Sequence, residues 1–286
     1  ANNNVAVGYL ALDANTTGAQ NVAVGAYALD AASTASNNIA VGYRALSQNT
    51  TGNENVSIGT DSMLDNTTGA GNVAVGMESL ANLTTASSNV GVGKQALNTT
   101  TTGASNTAVG FQALRLNATT HYNVAVGTGT LYNNVASNNT AVGFEALNDN
   151  TTGASNVAVG AYALDANTTA SNNTAVGDQA LSTNTTGTEN TGLGKGALYS
   201  NSTAAYNTAV GTNALNDNAT GANNTAVGRR SLYKNLASNN TAVGYHALNA
   251  NTTATYNTAV GRSSMAATTT GGDNTAIGGL TLDANT

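Results

Sequence analysis

At 286 residues the chain is long enough for one large domain or two ordinary ones. Only 8% of its residues are charged, the net charge is −6, and Pro, Cys and Trp are absent, which excludes disulfides, thiolate metal sites and a cysteine nucleophile. Leu, Val, Ile and Phe number 22, 22, 3 and 2, too few for a conventional mixed core, yet the net charge is too small for an ordinary disordered chain. A pI near 4.6 with dispersed basic residues argues against nucleic acid as a partner. No apolar run is long enough to cross a bilayer. The chain starts Ala1-Asn-Asn-Asn with no initiator Met and no secretion signal, which suits a mature product or a piece of a longer protein.

The organisation is one repeat of 17 residues, Asn-(Val/Thr)-Ala-Val-Gly-x-x-Ala-Leu-x-x-Asn-Thr-Thr-Gly-x-x, running through the whole chain. Its first Asn falls at Asn4, Asn21, Asn38, Asn55, Asn72, Asn89, Asn106, Asn123, Asn139, Asn156, Asn173, Asn190, Asn207, Asn224, Asn240, Asn257 and Asn274. Position 5 is invariably glycine: Gly8, Gly25, Gly42, Gly59, Gly76, Gly93, Gly110, Gly127, Gly143, Gly160, Gly177, Gly194, Gly211, Gly228, Gly244, Gly261 and Gly278. Two copies, 123–138 and 224–239, have 16 residues; both read as losing the residue after their Leu (Leu131 and Leu232). No linker or composition shift interrupts the array, so residues 1–286 are expected to form a single uncapped domain.

Taken in chain order, each repeat predicts the same elements. β-Branched residues at positions 2 and 4 flanking a small residue read as a short strand. The glycine at position 5 suits a corner needing positive φ or close backbone approach. A second apolar segment follows, small at position 8 and Leu at position 9 (Met63 and Met265 in two copies). Seventeen residues are too few for paired helices, and Gly, Asn and Thr weaken helices. The fold class predicted is all-β, a parallel β-solenoid or β-roll of 17 coils; at ~4.8 Å per rung it would make a rod of roughly 80 Å.

Every charged residue falls at position 6, 7, 10, 11 or 17, as with Lys94, Glu78, Asp13, Asp165 and Glu54. An unstructured chain has no reason to sort charges so; a coil with fixed outward corners does. The Asn at position 1 is expected to stack on its copies, each amide donating to the next side-chain carbonyl. Position 12 forms a second column, with Asn15, Asn49, Asn66 and Asn117 among its members, and the Thr at position 14 a third, broken at Ala136 and Ala237. Plain turn chemistry is the alternative explanation of these residues.

Alternation along the strand sends Val at position 4 and Ala at position 3 to opposite faces, and the same is expected of Leu at position 9 and Ala at position 8. Neither set carries a charge, so an isolated chain would expose an uncharged stripe that favours lateral association of copies. No capping element is visible at either end; the array reads as a window on a longer one or as chains that stack end to end.

The segments Asn21-Val-Ala-Val-Gly-x-x-Ala28 and Asn55-Val-Ser-Ile-Gly-x-x-Ser62 resemble the Asn-Ser-Val-Ala-Ile-Gly-x-x-Ser repeat of YadA-like trimeric autotransporter adhesin heads. The similarity extends over every copy. It implies a left-handed parallel β-roll, three chains side by side, an extracellular or bacterial-surface location, and binding to host matrix or cells. The repeat departs from that family in its length, 17 rather than about 14 residues, with an added Leu-x-x-Asn-Thr-Thr segment. The 286 residues are read as repeats throughout, without that family's neck, stalk or anchor, so autotransport is not expected of this segment.

No constellation of catalytic residues breaks the repeat, and no enzyme, cofactor or metal is expected. His121 and His246 fall at positions 16 and 7, read as solvent-exposed corners. Gly192-Leu-Gly194-Lys-Gly196 is the ordinary repeat rather than a phosphate loop. Asn15-Thr-Thr17 and its copies match a glycosylation sequon that the repeat generates automatically. The eleven tyrosines sit at positions 6, 7, 10 and 17, where rim packing competes with a role as binding anchors. Arg229, Arg230 and Lys234 form the only basic cluster, too small to imply a polyanion site. The function expected is that of a self-associating structural rod or filament. An adhesin head is the second expectation. Ice binding is the third, weakened because the adjacent Thr of positions 13 and 14 point to opposite faces.

Overall fold

A computed structural model describes residues 2–283. One three-residue strand forms in each repeat: β1 Val5–Val7, β2 Val22–Val24, β3 Ile39–Val41, β4 Val56–Ile58, β5 Val73–Val75, β6 Val90–Val92, β7 Thr107–Val109, β8 Val124–Val126, β9 Thr140–Val142, β10 Val157–Val159, β11 Thr174–Val176, β12 Thr191–Leu193, β13 Thr208–Val210, β14 Thr225–Val227, β15 Thr241–Val243, β16 Thr258–Val260 and β17 Thr275–Ile277. No helix occurs among the described residues. The chain falls into two compact units, Ala1–Asn139 with β1–β8 and Thr140–Thr286 with β9–β17. Within each unit the strands pair in parallel and in strict register: Val22 opposite Ile39 and Ala23 opposite Ala40 in the first, Thr174 opposite Thr191 and Val176 opposite Leu193 in the second. This is the parallel β-solenoid that the sequence predicts.

Coils stack through more than their strands. After the strand, Leu12 N donates to Ala28 O (3.0 Å), Ala14 N to Asp30 O (3.0 Å) and Thr16 N to Ser33 O (3.0 Å), and the same pattern recurs from coil to coil. Most of the backbone therefore has a partner one repeat away, which is how so Gly- and Asn-rich a chain satisfies its peptide groups.

The interior is small and half polar. The central Ala of the strand points inward (Ala23, Ala40, Ala74 and Ala108 are fully buried), while positions 2 and 4 face out. The expectation for positions 8 and 9 needs correcting. Ala28 and Leu29 are both fully buried, as are Ala163 and Leu164, because this segment is a turn and not a strand, so alternation does not apply. Val and Leu consequently part company: Leu of position 9 fills the core and Val of position 4 lies outside.

Gly160 shows why position 5 admits nothing else. Its φ is +137°, and a Cβ there would lie 2.6 Å from the carbonyl carbon of Gly177 in the next coil. Positive φ also recurs at non-glycine positions 7, 9 and 17 of the coil, as at Gln179 (58°), Leu181 (53°) and Glu189 (57°). A bulky Leu in this region is uncommon; each is held by the packed coil around it.

The two short coils also differ from the sequence reading. Tyr132 and Tyr233 keep position 10, since their carbonyls accept from Leu116 N (3.0 Å) and Asp217 N (2.9 Å). The Nδ2 of Asn134 and of Asn235 reaches the carbonyl two residues on, Ala136 and Ala237, whereas Asn49 reaches Gly52, three residues on. The missing residue is thus one of the Thr pair, not the one after Leu. Backbone hydrogen bonds hold both sides of the turn in register, so the turn itself absorbs the deletion.

Candidate interaction surfaces

The asparagine ladders are present, with chemistry richer than amide-to-amide stacking. At position 1 the Oδ1 accepts the backbone N–H of the Asn one coil on: Asn21 N to Asn4 Oδ1 (2.8 Å), Asn38 N to Asn21 Oδ1 (3.0 Å), Asn173 N to Asn156 Oδ1 (2.9 Å) and Asn190 N to Asn173 Oδ1 (2.9 Å). The Nδ2 turns back to the carbonyl of position 15 in its own coil, as Asn173 does to Gly187 (2.9 Å). One side chain so closes its own coil and fixes the next. The expected side-chain-to-side-chain bond is the secondary one, for example Asn72 Nδ2 to Asn55 Oδ1 (3.1 Å).

Position 12 carries the true amide ladder. Asn66 donates to Asn49 Oδ1 (2.9 Å), Asn167 to Asn150 (2.7 Å) and Asn201 to Asn184 (2.8 Å). Each also reaches the same position-15 carbonyl that position 1 uses, so Gly187 O accepts from both Asn173 and Asn184. These amides are fully buried; each Nδ2 named here is satisfied, which makes a buried amide tolerable, although Asn66 Oδ1 has no hydrogen-bond partner.

The threonine column is corrected by one position. Hydroxyls of position 13 form the ladder, with Thr50 Oγ1 donating to Thr67 O (3.1 Å), Thr67 to Thr84 O (3.0 Å) and Thr168 to Thr185 O (3.1 Å). The position-14 threonines, Thr51, Thr68 and Thr169 among them, are exposed. Adjacent residues in an extended turn face opposite ways, and it is the first of the pair that faces the neighbouring coil.

The outward sheet face differs between the units. In the first, position 2 is Val22, Ile39, Val56, Val73, Val90, Thr107 and Val124 after Val5, and position 4 is Val or Ile throughout, giving two apolar columns. In the second, position 2 is Thr in every strand except β10, so a hydroxyl column runs beside the aliphatic one. Ile39, Ile58, Val109 and Val126 are between 37% and 40% exposed, and none of these columns carries charge.

At the rim, Tyr9, Tyr27 and Tyr43 pack edge to face with centroids 5.4 and 6.1 Å apart, and Phe144 and Tyr162 do so at 5.3 Å. Rim packing between coils therefore accounts for these rings. His121 is half-buried rather than exposed, and its Nδ1 accepts from Ala104 N (2.9 Å). It replaces the Ser hydroxyl that does this elsewhere, as Ser36 does for Ala19 N (3.0 Å). His246 is half-buried too; burial, then the nearby Arg230 and Arg229, pull its pKa below the usual histidine range.

Carboxylates are perturbed where position 10 turns partly inward. Burial raises the pKa of Asp30 and of Asp165 above the ordinary aspartate range, partly offset by hydrogen bonds, from the backbone at Asp30 and led by Ser182 at Asp165. In each, Oδ1 is buried without a hydrogen-bond partner. Asp217 is raised by burial, against the pull of Lys234. Among the described residues no group of three or more His, Asp or Glu is placed to hold a metal ion, and no helix is long and apolar enough to cross a membrane.

Fold and faces together define a parallel β-solenoid repeat protein held by asparagine ladders. No family model matches the chain, and no curated protein matches it.

Proposed function

We propose that the chain is a structural module that self-associates side by side through the outward face of its strands, as part of an extracellular rod or filament. The supporting observation is the pair of uncharged columns over β1–β8, Val or Ile at every position but Thr107, kept free of charge while charges occupy the corners on either side. Fully burying a Val or Ile is worth ~1.5–3 kcal/mol; half-exposed side chains give less each, but the columns repeat the contribution on every coil. The resemblance to trimeric adhesin heads supports the same arrangement. Light-scattering mass and negative-stain imaging of the purified chain test it. Oligomers that dissociate when Val75 and Val92 become Lys are expected; a monomer at micromolar concentration would refute the reading.

A second reading applies to the other unit. The in-register columns of β11–β17, Thr at position 2 and Val at position 4 except for Leu193 and Ile277, place hydroxyl and methyl groups ~6.6 Å apart along each strand and ~4.8 Å between strands, a regular array suited to ordering water against an ice face. Thermal hysteresis that disappears in Thr208→Lys would support it, and its absence in the wild type would dispose of it.

A further inference from the structure

Half of the cationic side chains lie close together in the second unit. Of eight Lys and Arg residues, Arg229, Arg230, Lys234 and Arg262 make four, and no Asp or Glu occurs in residues 218–272. A stretch of formal charge +4 therefore sits within a chain whose net charge is −6.

The register of the coils assembles these residues into one patch. Arg229, Tyr245 and Arg262 occupy position 6 of three consecutive coils, and Arg230 and His246 occupy position 7 of the first two. The backbone confirms the stacking: His246 N donates to Arg229 O (3.2 Å) and Ser263 N to Tyr245 O (2.8 Å). With rungs ~4.8 Å apart, the backbones at Arg229 and Arg262 stand about 10 Å from each other with Tyr245 between them.

Arg229 and Arg230 rest on rings instead of carboxylates. The Arg229 guanidinium lies 5.9 Å from the Tyr245 centroid and that of Arg230 lies 5.3 Å from the Tyr233 centroid. The rings of Tyr245 and His246 stack at 4.1 Å. Ring contacts also occur outside the patch, Arg44 over Tyr43 (5.1 Å) and Arg115 over Tyr132 (5.6 Å), but there the cations are dispersed singly, and Arg44 and Lys195 face carboxylates, Asp61 (2.8 Å) and Asp178 (2.9 Å). Lys234, at the margin, has Asp217 nearby. Arg230 Nε and His246 Nε2 are buried polar atoms with no hydrogen-bond partner, so the patch is an incomplete network whose charge is uncompensated.

We propose that Arg229, Arg230, His246 and Arg262, with the ring of Tyr245, form a binding site for the sulfate esters of a linear acidic polysaccharide. Guanidinium groups match oxyanions in bidentate geometry. The Tyr245 ring, 44% exposed, offers an apolar face for a sugar between two anchored sulfates. Three arginines, with Lys234 at the margin, on an otherwise acidic chain suit a ligand with spaced charges better than the dense, continuous charge of a nucleic acid or polyphosphate. The groups facing His246 from the neighbouring coil are Arg229 and Arg230, with Tyr245 beside it and no carboxylate among them. Burial first and the two guanidinium groups second hold the His246 pKa down; a bound sulfate offsets the guanidinium charges, so His246 takes up a proton more readily in the complex and affinity rises as pH falls.

The test is calorimetric titration of the full chain with a dextran sulfate oligosaccharide, unsulfated dextran, inorganic sulfate and polyphosphate, followed by NMR of the His246 ring. Saturable binding of the sulfated glycan is expected, weakened by salt, with an upward shift of the His246 titration on saturation. Arg229→Gln and Arg262→Gln are each expected to lower affinity roughly ten-fold. Tyr245→Ala is expected to weaken the glycan but not inorganic sulfate, and Lys94→Gln to change neither; circular dichroism and a cooperative melt certify that each variant is folded. Binding of polyphosphate as tight as the glycan, indifference to the Arg substitutions, or no binding by the folded wild type would each overturn the assignment.

Discussion

At Gly160 two demands coincide: a φ of +137° and a neighbouring carbonyl carbon 2.6 Å from where a Cβ would sit. Strained dihedrals alone cost ~1–3 kcal/mol, and the clash with backbone that cannot move away adds to it. Gly160→Ala is therefore expected to destabilise by about 3 kcal/mol or more in denaturant titration. Gln179→Gly, at a position whose φ is 58°, is the counterpart. It relieves the ~1–2 kcal/mol of a left-handed non-glycine residue against ~0.5–1 kcal/mol of extra chain entropy, so no loss or a small gain is expected. A large loss there would mean that Gln179 contributes contacts beyond its backbone. Asp165 follows from electrostatics. Its folded pKa is raised by burial, so between the unfolded value of 3.8 and the folded one the native chain binds the extra proton. Stability therefore falls as pH rises through that window. Asp165→Asn removes the penalty and should raise the melting temperature at pH 7 but not at pH 3; equal effects at both values would refute the electrostatic origin.

The element at stake is the coil and its two amide columns, which are not equivalent. Asn173→Ala strands the Asn190 N–H, now bonded at 2.9 Å, while the Gly187 carbonyl keeps its bond from Asn184 (2.9 Å), an expected loss of about 2 kcal/mol at ~1–3 kcal/mol per buried unsatisfied group. Position 12 already tolerates Ala32, Leu83, Thr100 and Thr268, and Leu83 is fully buried. Asn167→Leu is expected to cost less than half as much, and equal losses in chemical unfolding would show that both columns carry the coil alike. Periodicity made the strand, the glycine corner and both columns visible, because spacing two apart and invariance at one position translate directly into geometry. It could not show the left-handed Leu181, since Leu carries no sign of that conformation and only the packed turn enforces it. Nor could it place the ladder at Thr50 instead of Thr51, where two identical residues compete for one partner. The basic patch is half legible: Arg229 and Arg230 adjoin in sequence, but His246 lies 16 residues on and only coil register sets it in the Arg230 column.

For the whole molecule, the side-by-side association proposed for the apolar columns is opposed by a net charge of −6. Acidification reduces that charge toward zero near pH 4.6, and screening by salt acts in the same direction, with a Debye length of ~8 Å at physiological ionic strength. The fold does not counter this trend. The raised pKa values of Asp30, Asp165 and Asp217 make mild acid favour the native state at three sites, while the lowered value of His246 works against it at one. Average assembly mass should therefore increase from pH 8 to pH 5 at low salt, and salt added at pH 8 should reproduce part of the increase. Light scattering across that range is the measurement. Assemblies that dissolve on acidification or on salting would show that ion pairs, and not the Val and Ile columns of β1–β8, hold the copies together.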